Sequence, residues 1–285
     1  MSTSEPVELK EVRGPSILSG GWRRTWELCR LMSVTDFKRN YFGTVLGYLW
    51  SLARPLLLFA VLVEVFTHVF RLGHTVPHYP VFLLLNIVLF GFFQEATVTA
   101  VGSVVGSEGI VRKTQFPRLA IPLAVVLTAF YNLVLNLVVV FVFILAFGVS
   151  PMWTWLLLGV LLALLFVFTL GVSMFLSSLY PRFRDLAILW GVFVTALFYA
   201  TPLLYPITRV GATSHTLSKL IALNPLAPVF ELANKWIINP RAPWPGSAAT
   251  GGPGALVVSI VLFVVICALG VFVFRREAPR IAEQL

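Results

Sequence analysis

Charge is what this sequence has least of. Of its 285 residues only 12% are Asp, Glu, Lys or Arg, while 58% are hydrophobic. A water-soluble domain carries roughly 25% charged residues, so too little polar surface is left to cover a soluble body of this length. The excess apolar area needs lipid as its solvent. Aspartate is scarcer still, with Asp36 and Asp185 the only two. That scarcity argues against a membrane glycosyltransferase, which holds a metal-bound sugar nucleotide with clustered carboxylates. No Gly-Lys dipeptide occurs, which excludes a Walker A loop and ATP hydrolysis by the usual P-loop route. Cys29 and Cys267 share no metal-ligand spacing and read as ordinary thiols.

Long apolar runs are what the chain does have. A span needs about 20 mostly apolar residues, because the hydrocarbon core is roughly 30 Å thick and a helix rises about 1.5 Å per residue. Candidate spans cover 51–70, 81–104, 119–147, 152–178, 187–205 and 255–274. The expected fold is an all-α polytopic membrane protein with six transmembrane helices.

Basic residues orient it. Lys10, Arg13, Arg23, Arg24, Arg30, Lys38, Arg39 and Arg54 precede or open the first span. Arg112, Lys113 and Arg118 follow the second, Arg182 and Arg184 the fourth, and Arg275, Arg276 and Arg280 the sixth. The opposite side has only Arg71, Arg209, Lys219, Lys235 and Arg241. Positive residues stay in the cytoplasm, so both termini are expected inside a cytoplasmic (inner) membrane. Residues 1–35 lack an uninterrupted apolar core and a small-residue cleavage site, and do not read as a signal peptide. The plan is a cytoplasmic N-terminal segment (1–35), a six-helix transmembrane domain (36–275) and a cytoplasmic tail (276–285).

Several segments are neither span nor simple loop. Trp22, Thr25, Trp26, Cys29 and Met32 repeat at helical spacing opposite Arg23, Glu27 and Arg30, which suits a helix at the membrane interface or against a partner. Beyond the fifth span, Val229, Leu232, Ala233, Trp236 and Ile237 form one helical face, with Glu231 and Lys235 an i, i+4 pair on another. Glu64 and Glu95 lie deepest in apolar sequence with no intramembrane basic partner, and each should face protein or water. Polar stripes at Glu95, Thr99, Ser103, at Thr128, Asn132, Asn136, and at Thr169, Ser173, Ser177 mark helix contacts or a water-lined path. Tyr48, Trp50, Trp190, Phe193, Phe198, Tyr199 and Tyr205 belong either to interface belts or to a channel wall that stacks on sugar rings.

Asp36 to Leu56 resembles the N-terminal signature of ABC-2 type export permeases, through Tyr41, Thr44, Leu46, Gly47, Trp50 and Pro55. Asn40 departs from the arginine usual before the tyrosine. Val111–Pro122, Arg184-Asp185, Thr201–Tyr205 and Asn224-Pro225 are similar to later family segments, in order and in register. Within the family, the likeness is to exporters of lipid-linked polysaccharides or polyol phosphates such as O-antigen, teichoic acid, capsule or galactan chains.

The resemblance implies a homodimer of permeases bound to two ATPase subunits. ATP and Mg²⁺ would sit on those partners, with no cofactor in this chain; the placement of its basic residues beside alternate span ends argues separately against a nucleic-acid partner. It implies coupling helices around Arg112, Lys113 and Phe116 and around Arg182, Arg184 and Asp185. It places the lipid head group's admission at the amphipathic helix and its sequel: Trp22, Arg23, Arg24, Trp26, Arg30, Lys38, Arg39 and Tyr41. The channel would use Tyr48, Trp50, Phe193, Phe198, Tyr199 and Tyr205, and outer gate helices would carry Glu231, Lys235 and Trp236. Competing readings are a drug or lipid exporter of the same architecture and an ion-gradient transporter using Glu64 and Glu95.

Overall fold

Each long apolar run folds as a helix, and prolines and glycines set where the helices stop. A computed structural model of the protein describes residues 21–41, 47–74, 76–109 and 117–284. Its main helices are α1 (Gly21–Tyr41), α2 (Gly47–Glu64), α3 (Tyr79–Gly106), α4 (Ala120–Ala146), α5 (Leu158–Leu179), α6 (Leu186–Ala200), α7 (Ile207–Thr213), α8 (His215–Ala222), α9 (Ala227–Ala233) and α10 (Pro253–Gln284). No strand occurs among the described residues. The all-α polytopic class holds.

Among the described residues, five helical stretches are long and apolar enough to cross a membrane: Leu49–Val69, Tyr79–Gly106, Ala120–Ala146, Trp153–Leu179 and Pro253–Glu277. The expected span 187–205 is instead a helix of 15 residues. It is about 22 Å long, short of the roughly 30 Å of hydrocarbon. It stops at Ala200 because Thr201 is extended, with φ −94° and ψ 144°. That is the backbone which the following Pro202 favours. Six full-length spans are thus corrected to five and a shorter apolar helix.

The centre of the bundle is α3. In its most apolar window 78% is buried, against 6% for the α2 span and 11% for α10. Helices α2, α4, α5 and α6 all pack on it. Long, apolar and barely covered, the middles of α2 and α10 turn faces outward that need hydrocarbon around them.

Hydrogen bonds gather one end of the bundle. Tyr79 donates its hydroxyl to the Leu204 carbonyl (2.8 Å) and Asn86 its amide to the Leu203 carbonyl (3.2 Å). Thr154 donates to the Trp236 carbonyl and Trp155 Nε1–H to that of Ile237 (3.0 Å). Ser259 donates to Asn224 O (3.0 Å). At the other end Phe274 of α10 packs with Met174 and Leu119. Helix α1 lies there too, against the first half of α4, so the first and last helices share one end.

Helix α1 buries Thr25, Cys29 and Ser33 against Ala120–Leu127, with Leu28 and Met32 partly covered. Thr128 donates to the Ser33 carbonyl (3.3 Å), and Phe37 meets Tyr131 edge-on. Trp22 and Trp26 point away, 62% and 46% exposed. The single stripe expected over 22–33 is therefore split. Its narrow residues fit against α4, and its tryptophans stay outside. Burial pushes the Cys29 thiol up to about 12, which marks a packing group rather than a nucleophile.

The most extensive helix contact joins α5 to α10 and depends on two glycines. A Cβ at Gly270 would lie 2.0 Å from the Gly171 carbonyl oxygen, a backbone atom that cannot swing aside. Small residues let helix backbones approach this closely in lipid. Gly270→Ala should force the helices apart and destabilise the fold by about 1–3 kcal/mol. Gly254→Ala, with open space around it, is the matched control. Thermal unfolding in detergent reads both, and equal midpoints would refute the tight crossing.

Candidate functional site

Helix α3 is covered on most of its surface, yet one face of its second half is open and polar. Glu95, Val98 and Thr99 are exposed there, and Gln94, Gly102 and Ser103 are half-buried. Asn132 of α4 donates its amide to Glu95 Oε1. Arg54 of α2 lies within electrostatic reach of the same carboxylate. On the other flank Trp190 of α6 donates Nε1–H to Thr97 Oγ1 at 3.1 Å. A charge facing mid-bilayer hydrocarbon costs on the order of 3 kcal/mol on insertion scales, and the amide and hydroxyls add to it. This face needs water or another protein surface against it.

The expectation that Glu95 and Glu64 lack basic partners is corrected. Arg54 belongs to α2, a turn inside the span, and so is itself an intramembrane basic residue. Glu64 pairs with His68 one turn on, Oε1 to Nδ1 3.1 Å, with both side chains about 70% exposed at the end of α2. The two carboxylates therefore have separate settings, Glu64 at a helix end and Glu95 in the bundle wall. The other stripes serve packing. Thr169, Ser173 and Ser177 are buried, and Thr169 and Ser177 donate back to the Leu165 and Met174 carbonyls. Asn136 donates to the Asn132 carbonyl (2.8 Å), bracing the residue that holds Glu95.

The expected channel aromatics divide. Trp50, Phe193 and Tyr199 are 66%, 54% and 60% exposed on α2 and α6. Phe198 is half-buried, edge-on to Phe90, and Tyr205 turns its hydroxyl to the Tyr199 carbonyl (3.0 Å). Along α1, Trp22, Arg23, Arg24, Trp26, Arg30, Lys38 and Arg39 all lie on the uncovered side. Arg182, Phe183, Arg184 and Asp185 are exposed between α5 and α6. Consecutive turns, with Arg182 5.6 Å over the Phe183 ring, replace the coupling helix expected there. Arg112, Lys113 and Phe116, and the side chains of Tyr41 and Tyr48, lie outside the described residues. Arg118, counted above among the orienting charges, is only 3% exposed at the foot of α4.

At the opposite end, the expected Glu231–Lys235 pair does not form. Residues Asn234–Ile238 widen into a π-turn, which adds a residue to the turn and rotates Lys235 off the Glu231 face. Lys235 instead donates to the Pro240 and Ala242 carbonyls and lies 4.7 Å over the Trp244 ring. Trp236 packs into the core, its carbonyl accepting from Thr154.

Burial raises the Glu231 carboxyl to about 8. Its folded value lies above its unfolded one, so ionisation opposes folding. The cost is absent below about pH 4 and grows until about pH 8. Glu231→Gln should match the native protein near pH 4.5 and exceed it by about 1 kcal/mol or more at pH 8. A stability gap that stays constant across that range would show a solvated carboxylate instead.

Comparison with known proteins agrees with this architecture. The family model described as ABC-2 type transporter matches residues 27–238. An O-antigen export system permease protein RfbA of Klebsiella pneumoniae is 29% identical over 266 residues, covering 91% of this chain and 95% of that protein. A protein of the same name from Myxococcus xanthus is 31% identical over 191 residues, 67% of this chain and 72% of its own length. With the family match spanning most of the helical bundle, this multi-pass membrane chain belongs to the ABC-2 type transporter family.

Proposed function

We propose that the chain is the permease subunit of an ATP-driven exporter that moves a lipid-linked polysaccharide across the cytoplasmic membrane. The observation that carries transport is the open polar face of α3. A membrane helix bearing Glu95 and Thr99 on an uncovered side makes physical sense as the wall of a wet path. The substrate class follows from the near end-to-end likeness to O-antigen export permeases. Under this reading a second copy of the chain closes the path from the other side. Trp50, Phe193 and Tyr199, exposed beside it, offer ring faces to passing sugars.

Both termini lie in the cytoplasm in this proposal, following the basic residues. Two copies of a separate ATPase subunit dock at the exposed Arg182–Asp185 turns and at Arg112, Lys113 and Phe116. Nucleotide binding then biases the bundle between two arrangements. The basic side of α1, from Arg23 to Arg39, draws in a phosphorylated lipid head group through charge-assisted hydrogen bonds. The gate roles of Glu231, Lys235 and Trp236 belong to the opposite, external end.

Two measurements test this. In a cysteine-light background, Thr99→Cys should react with a membrane-impermeant thiol reagent in inside-out vesicles, and Val138→Cys, on the outward face of α4, should not. Equal protection of the two would remove the wet path. In cells, Glu95→Leu should cut surface glycan at least tenfold while Glu95→Gln, which still accepts from Asn132, keeps a substantial part. Normal glycan display by the leucine variant would sink the role of this face.

A further inference from the structure

At the end of the bundle away from α1, a cleft of about 290 Å³ opens between the α6–α7 corner, the α9 region and the loop after it. Its walls include Arg209, Arg241, Glu231, Asn234 and Asn239, with Phe230 among its apolar residues. Two guanidinium groups, two amides and a carboxyl over an aromatic ring are the groups that grip a hydroxylated anion. Guanidinium forks match a carboxylate or phosphate, amides match hydroxyls, and a ring face matches sugar C–H. The volume is at the small end for ligand sites and suits one sugar ring rather than a chain.

The wall is built before any ligand arrives. Lys235 ties down the loop after α9, a strap over residues 239–244, through the Pro240 and Ala242 carbonyls and the Trp244 ring. Asn239 Oδ1 accepts from the Arg241 backbone N–H (3.1 Å), and the Asn239 carbonyl from that of Ala242 (2.9 Å). Preorganisation of this kind lowers the ordering cost of binding. With the Glu231 carboxyl raised to about 8, the cleft keeps most of the positive charge of its arginines at neutral pH.

We propose that this cleft is a binding site for a single anionic sugar residue, a hexose carrying a carboxylate or phosphate. Under the transport reading, its role is to receive such a unit of the emerging glycan at the outer mouth. The binding itself does not depend on that reading.

The test uses the full chain in phosphatidylcholine nanodiscs, with binding followed by ligand-detected NMR. The probes are glucuronate, glucose 6-phosphate, neutral glucose and inorganic phosphate. At least one anionic sugar should bind ten or more times tighter than either glucose or inorganic phosphate. Arg241→Gln should weaken it at least tenfold, and Lys235→Met, which frees the strap, should do so too. Lys219→Gln, a loss of one charge on α8 away from the cleft, should change it less than twofold. Glucose binding as well as the anionic sugars, phosphate alone binding as well, or Arg241→Gln leaving affinity unchanged would each overturn the proposal. Neither ATPase nor polymer takes part, so a failed export assay would leave this result standing.

Discussion

Hydrocarbon offers no hydrogen bonds, so every polar group at membrane depth must find its partner within the protein or in trapped water. Asn86 Oδ1 and Ser173 Oγ are buried exceptions, but the rule holds even where the helix is interrupted. Thr201, Pro202, Leu203 and Leu204 are buried, non-helical backbone. Tyr79 and Asn86 of α3 bond two of its carbonyls, and Thr201 receives Asn224 Nδ2–H at 2.8 Å while donating to the Leu197 carbonyl. Thr97, Thr128, Thr169 and Ser177 bond back to their own turns, whereas Ser173 Oγ is buried without a partner among the described residues. Losing any of these partners would strand a buried polar group at about 1–3 kcal/mol.

The open face of α3 is informative because it is the conspicuous departure from that rule. Through the middle of α4 and α10 the exposed surface is apolar: Val134, Val138 and Val142 along α4, Val257, Val261 and Val264 along α10. Around Glu95 and Thr99 it is not. Asn132 and Arg54 compensate Glu95 only in part, since the residue lies on the uncovered face of α3. An isolated subunit in lipid would leave this face badly solvated. A second protein surface, a water column, or both remove the penalty, and this links the fold to transport.

The spans and the all-α class were legible because apolar length is a one-dimensional property of the chain. The polar stripe on α3 was legible as well, since it repeats every three to four residues. Whether a stripe turns inward or outward was not: Thr169–Ser177 and Glu95–Ser103 have the same spacing, and only packing against α10 and α3 hides the first. The Glu231–Lys235 pair failed because the i, i+4 rule assumes an α-helix, and a π-turn at Asn234 breaks the count. Trp22 and Trp26 followed the periodicity but not the burial, because α4 presents the close-set residues Ala120 and Ala124, against which Cys29 and Thr25 fit better than an indole. Arg118 looked like any other loop cation until the foot of α4 closed over it.

Helix α6 has the structure of a moving part. Val194 is its one buried residue, and its side-chain hydrogen bond to another helix is Trp190 to Thr97. Its C-terminal end is firmly held, since the Thr201–Leu204 corner is clamped to α3 and to Asn224. Its N-terminal end follows the exposed Arg182–Asp185 turns directly. A helix fixed at one end, loosely seated along its length and attached at the other to a surface turn pivots when that turn is pushed. In the transport reading, the same motion carries Phe193 and Trp190 across the polar face of α3. Force applied at the turn therefore reaches the path through a single stiff element, and the clamp at Tyr79 and Asn86 is the fulcrum.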